Sequence, residues 1–197
     1  KENNERNPAS NFNIELDYQG DEMFIPYLEE GVNFWERVIT GDLSDVSYNN
    51  RIVDDLLIEA SINYIDGLNG TLGHATHDRR RSSGTRLPYT GWMAFDEPDM
   101  EQMLNRGLLV DVVKHEIGHI LGISSRIWQS YDLSDNYNYH GEHALREYNL
   151  LKSSQLNSIP LENSMGRGSN SSHWRESIFD SELMCPRIGN SGNPLSK

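Results

Sequence analysis

His115, Glu116 and His119 fall within five consecutive residues, His115-Glu116-Ile117-Gly118-His119. On an α-helix, positions four apart share a face with Cβ atoms about 5–6 Å apart, so two imidazoles there can reach one ion at about 2.0–2.1 Å. Glu116 is rotated about 100° from His115 and so stands beside such an ion, outside its ligand set. Zinc lowers the pKa of a bound water to about 7. A carboxylate in the Glu116 position can take that water's proton and pass it to a leaving amine. The chemistry implied is hydrolysis of a peptide bond or another amide.

Two histidines and a glutamate also occur on ordinary solvated helices, and the bare pattern is only moderately specific. Here the flanks are Leu108, Leu109, Val110, Val112, Val113, Ile117, Ile120 and Leu121, which bury the helix. Buried imidazoles beside a buried carboxylate are costly unless paired or ligated, and that cost favours a metal site. A catalytic zinc takes three protein ligands and keeps a position open. The compact metzincin pattern puts the third histidine shortly after a helix-ending glycine. Gly122 fits that glycine, but the expected histidine position is Ser125. The residues themselves leave His140, His143, His173, Glu142 and Glu147 as candidates. Glu142 or Glu147 on a downstream helix would give a thermolysin-like site.

The elements that must carry these groups follow from periodicity. Phe12, Ile14, Leu16 and Tyr18 alternate as a half-buried strand. Asp21 can cap a helix whose apolar positions Phe24, Leu28, Val32, Trp35 and Ile39 recur every three or four residues. Pro26 is tolerated near that helix's start, and Thr40-Gly41 ends it. Residues 56–65 read as a second strand closed by Asp66-Gly67 and Asn69-Gly70, 72–76 as a short strand, 77–86 as a basic loop, and 87–95 as a further strand. Glu97-Pro98-Asp99 opens a helix that Gly107 interrupts, and residues 108–121 form a stronger one stopped at Gly122. Beyond it, turn chemistry dominates, with one helix near 143–152. The whole is a single domain over residues 1–197, with a regular part to residue 123, an irregular part over 124–197, and a cleft between them. Residues 1–8 read as a loose arm.

Composition narrows the partners. With 17 basic against 30 acidic residues the net charge is −13, so phosphate backbones and anionic membrane surfaces are repelled. Apolar runs fall far short of a bilayer span. Cys185 is the only cysteine, which excludes an intrachain disulfide. The polar opening residues show no signal peptide, so the chain reads as intracellular or as a mature form.

The order of several short motifs resembles the leishmanolysin-like metzincin metallopeptidases, in their shorter bacterial form. The resemblance runs over nearly the whole chain from Phe12. It rests on Ile65-Asp66-Gly67 with Gly70-Thr71-Leu72-Gly73, Leu87-Pro88 with Gly91-Trp92, Phe95-Asp96, the helix motif from His115 to Gly122, and Ile127-Trp128. It continues through Gly141, Ala144-Leu145, Tyr148, Ile159-Pro160-Leu161-Glu162-Asn163, Ser172-His173-Trp174-Arg175-Glu176 and Glu182-Leu183-Met184. In that family an insertion separates the glycine from the third ligand. The resemblance thus implies His173 as that ligand, beside His115 and His119, with Glu116 as base and Met184 as the methionine of the turn beneath one zinc ion. It implies an α+β, zincin-like catalytic domain with a twisted mixed sheet, an active-site helix and an irregular C-terminal subdomain. It also implies export, a peptide or protein substrate bound along an edge strand assigned to residues 91–95, a side-chain pocket shaped by residues after Met184, and a closing helix beyond Lys197. A monomer is the expected state. A non-peptide amide hydrolase and a non-enzymatic binding or adhesion module with a vestigial zinc site are the competing readings, and an intact Glu116 argues against the second.

Other residues carry weaker signals. His74 and His77, three apart on a strand, need not converge on a second zinc. The turn Asp66-Gly67-Leu68-Asn69-Gly70 offers oxygens to calcium, although an ordinary glycine-rich turn has the same composition. Arg79-Arg80-Arg81 reads as a solvated stretch or an autolysis site, and Cys185 as a buried thiol near the zinc.

Overall fold

The computed structural model describes residues 12–166 and 168–196; the arm expected over residues 1–8 lies outside them. The fold is mixed α+β. Strand β1 (Ile14–Tyr18) leads to Asp21, whose carboxylate accepts the Met23 N–H at 2.9 Å and caps a 3₁₀ turn over Glu22–Phe24. Helix α1 (Ile25–Val38) continues from it with Pro26 in its first turn, where no intrahelical N–H is lost.

Two short strands, β2 (Val46–Tyr48) and β3 (Arg51–Val53), then form an antiparallel hairpin. Its turn residues Asn49 and Asn50 both take positive φ, the conformation of two-residue hairpin turns and one that asparagine tolerates. Strands β4 (Leu56–Asn63), β5 (Gly73–Arg80) and β6 (Pro88–Asp96) complete a four-stranded mixed sheet in the order β1-β4-β6-β5. The first three are parallel, and β5 runs antiparallel to β6. Ala60 opposes Met93 and Ile58 opposes Gly91, so one sheet face is apolar. Ile58, Met93 and Phe95 are fully buried on it, with Val113, Ile117 and Ile120 in the same core.

Helix α2 (Glu97–Asn105) is followed by α3 (Leu109–Leu121), which packs along α1 and beneath β5 and β6. Gly122, at φ +121°, terminates α3 in a backbone conformation closed to most side chains.

Two expectations are corrected here. The sheet's free edge on the cleft side is β5, because β6, which contains residues 91–95, is paired on both sides. Alternation within a strand reports its faces, never its neighbours. The basic stretch is not a loop throughout: β5 continues to Arg80, and Arg81 is buried. The Arg81 guanidinium donates to the carbonyls of Ser44, Asp54, Asp55 and Pro88 at 2.9–3.1 Å, tying the hairpin to the sheet.

Past residue 123 the elements are short. They comprise α4 (Ser125–Ser130), α5 (Glu142–Lys152), α6 (Glu176–Phe179), and a small sheet of β7 (Ser134–Asp135), β8 (Asn138–Tyr139) and β9 (Ile159–Pro160). An aromatic cluster holds them together. Trp128 stacks on Trp174 at 5.5 Å, Tyr139 meets both, and Phe179 links Trp174 to Tyr148. No helix among the described residues is long and apolar enough to cross a membrane.

Candidate metal centre

Helix α3 places His115 and His119 one turn apart, and the loop before α6 brings His173 against them. The three Nε2 atoms form a triangle with sides of 3.0, 3.1 and 3.1 Å. Each ring's other nitrogen faces a backbone carbonyl: His115 Nδ1 lies 2.7 Å from Leu183 O, His119 Nδ1 2.7 Å from Ile123 O, and His173 Nδ1 2.8 Å from Ser169 O. A carbonyl only accepts, so each Nδ1 carries the proton and each Nε2 presents a lone pair. Three lone pairs therefore converge with no hydrogen between them, an arrangement that repels itself unless a cation sits among them.

Burial supports the same protonation states. Desolvation lowers the pKa of all three rings, and the neighbouring imidazoles add to the lowering at His119 and His173, the latter ending at about 3. A triangle of this size accommodates three bonds of about 2.0–2.1 Å to one ion, and the donation of each N–H to a carbonyl is the usual support for a ligating histidine. The residues fit a metal ion. His115, His119 and His173 are one of two such groups among the described residues.

The other group, Asp42, Asp54 and Asp55, lies beside the β2–β3 hairpin. Both oxygens of Asp55 there already accept N–H groups, from Leu43 and Asn13.

Glu116 is 5 % exposed on the next face of α3, and desolvation alone pushes its carboxyl up to about 8. It reaches toward the free edge of the sheet: a Cβ added at Gly73, the first residue of β5, would lie 3.1 Å from Glu116 Oε1. A cleft of about 750 Å³ opens over these groups, lined by residues 69–76, the exposed side of α3, and Ser125, Ser172, Cys185 and Ile188 of the lower part.

Met184 is fully buried against α3. A Cβ at Gly118 would stand 2.7 Å from its Sδ, so the glycine in the middle of α3 makes room for the thioether. Glycine at an interior helix position costs about 1 kcal/mol against alanine, and this contact explains its presence. Glu182 fixes the turn by accepting the Met184 and Ser196 N–H groups and the Ser196 hydroxyl. Burial raises the Cys185 thiol to about 12, which keeps it protonated.

The remaining candidates lie apart from the triad. His140 pairs with Asp135 at 2.8 Å, His143 and Glu142 are exposed, and Glu147 pairs with Arg146. His74 meets Trp92 edge-on while His77 is buried. Asp66 in the glycine-rich turn accepts the N–H and hydroxyl of Thr71, and Asp96 and one oxygen of Asp99 accept further N–H groups of the same turn; the second Asp99 oxygen, Oδ2, is buried without a hydrogen-bond partner among the described residues. Ser125, where the compact motif would place its histidine, is hydrogen-bonded to Ser172, the neighbour of His173. The chain between Ser125 and Ser172 thus leaves the helix end and returns to it. Glu162 and Glu182 stand in motifs that carry the family resemblance, but the sequence assigns their carboxylates no role, since an acceptor of backbone N–H groups has no spacing signature.

Comparison of the chain with models of known protein families and with curated proteins finds no match in either.

Proposed function

We propose that the chain is a zinc-dependent endopeptidase of the metzincin type, similar to the leishmanolysin-like enzymes, acting outside the cell. The observation that carries this reading is the convergence of three Nε2 lone pairs beside a buried carboxylate at the floor of an open cleft. His115, His119 and His173 would hold the ion. A bound zinc supplies Lewis acidity, polarising a carbonyl and bringing a water's pKa down to about 7.

The chain's own groups do the rest. Glu116, desolvated and one helical position from His115, accepts the proton of the attacking water and gives it to the leaving amine. A carboxylate whose pKa lies near neutrality without the ion is suited to both transfers, and a nearby cation favours its charged form. The unpaired edge of β5 offers backbone N–H and C=O groups to an extended peptide, and the sheet's register would align that peptide over Glu116. The wall formed by residues after Met184 would receive a side chain next to the cut bond.

The test is cleavage of a quenched-fluorescence peptide library with and without a zinc chelator. Wild type is expected to cut and the chelator to stop it. Glu116→Gln should keep its zinc and lose about 10²–10⁴ in rate. Zinc-loaded, folded wild type that cuts nothing would favour the vestigial binding module.

A further inference from the structure

Glu162 is 1 % exposed, and among the described residues no basic side chain pairs with it. Its carboxylate is held by neutral donors instead. Oε1 accepts the N–H groups of Asn163 and Ser164 at 2.9 and 2.8 Å and the Ser164 hydroxyl at 2.7 Å, and Oε2 accepts the Glu176 N–H at 3.0 Å. Its backbone also spans the loop it begins: the Glu162 N–H donates to His173 O and its carbonyl accepts the Ser171 N–H, both at 2.9 Å.

These contacts tie residues 163, 164, 171 and 173 to Glu162, which acts as a clasp between the two ends of the stretch leading to His173. Ser169 O, the carbonyl that orients the third imidazole, lies in that stretch. None of the described residues of this stretch belongs to a strand or a helix.

We infer that Glu162 is the positioning residue for the third metal ligand, its carboxylate fixing the 163–172 loop so that Ser169 O and His173 stand where the two helical histidines converge. The inference rests on the metal reading above. It differs from a general stabilising role, because a glutamine of the same shape keeps the packing and turns one acceptor into a donor facing N–H groups. The energetic consequence falls on the loop that carries His173.

The experiment compares zinc affinity, by competition with a chromophoric chelator, and the visible spectrum of the cobalt-substituted protein. The full chain carries Glu162→Gln or, as a control, Asp96→Asn. Asp96 is an equally buried carboxylate that accepts two backbone N–H groups, from Ile65 and Gly67, and bonds to neither the three histidines nor the loop that carries His173. Glu162→Gln should bind zinc about 10–100-fold more weakly, as loss of a supporting partner does, with an altered cobalt spectrum. Asp96→Asn should lower the melting temperature and leave both unchanged. Glu162→Gln with wild-type affinity and spectrum overturns the inference, as does an equal loss of affinity in Asp96→Asn. Should Glu162→Gln fail to fold, Ser164→Ala removes one donor only. A drop of about fivefold in affinity, the worth of one modest hydrogen bond, then supports the inference, and an unchanged affinity overturns it. Wild type that takes up no metal shows itself before any variant is compared, and it removes the metal reading and this inference together.

Discussion

Between Phe12 and Gly122 the chain buries aliphatic side chains against a sheet and two packed helices, and the pairing of His115 with His119 follows from the helical repeat of α3. Between Ile123 and Ser196 the elements are two to eleven residues long, aromatic rings take the place of an aliphatic core, and buried carboxylates pin the loops. His115 and His119 need only a helix. His173 needs Trp128, Trp174, Glu162 and the carbonyl of Ser169 as well. A helix fixes its side chains through a repeating backbone pattern; an irregular loop must be fixed by contacts particular to it. The lower part is therefore where the site is easiest to dismantle without unfolding the rest.

The sharpest test of that contrast is a pair of truncations. Phe95→Ala in the upper core and Trp128→Ala in the aromatic cluster should each cost about 3–5 kcal/mol. The first should lower the whole unfolding transition. The second should loosen residues 123–196 and weaken zinc binding while the sheet's hydrogen-exchange protection persists. Equal loss of protection in both regions for Trp128→Ala would show that the two parts unfold as one.

A smaller effect probes their junction. Gly118→Ala gains about 1 kcal/mol of helix propensity but drives a methyl into Met184, an overpacking worth about 1–3 kcal/mol. Thermal melts should show a modest net loss, with weaker zinc binding because Leu183 O, the partner of His115, moves with the turn. A more stable variant with unchanged zinc affinity would mean that Met184 adapts freely.

The smallest effect concerns His140, which the sequence leaves as a candidate ligand. Asp135 raises its pKa, mainly through their hydrogen bond. NMR titration should place it above 6.5, Asp135→Asn should bring it back, and added zinc should not move it. Because the folded pKa is raised, the pair's contribution to stability is fully present below the unfolded value near 6.5 and lost as pH rises through the folded one. Both groups are exposed, so the contribution is small.

What was legible in the sequence divides along the same line. The 3.6-residue spacing of Val113, Ile117 and Ile120 announces α3, and the two histidines four apart announce a pair able to hold an ion. Strand order is not written in alternation, so the cleft edge fell on residues 91–95 when it belongs to β5. The hairpins at Asn49-Asn50 and Asn136-Tyr137 carried a turn signal that passed unread among many asparagines. His173 lies 54 residues beyond His119, and no periodicity connects them; a family resemblance alone pointed to it. Glu162 and Glu182 stand within resemblance motifs, yet their role is not legible there, because it depends on which backbone N–H groups the folded loops bring to them.

The most direct measurement is zinc content and affinity of wild type against His173→Ala, both judged folded by circular dichroism. One zinc per chain in wild type, with affinity reduced at least about a hundredfold in the variant, more than loss of an outer partner costs, is the result predicted. Wild-type affinity retained in His173→Ala would contradict the account and return the third ligand to another residue.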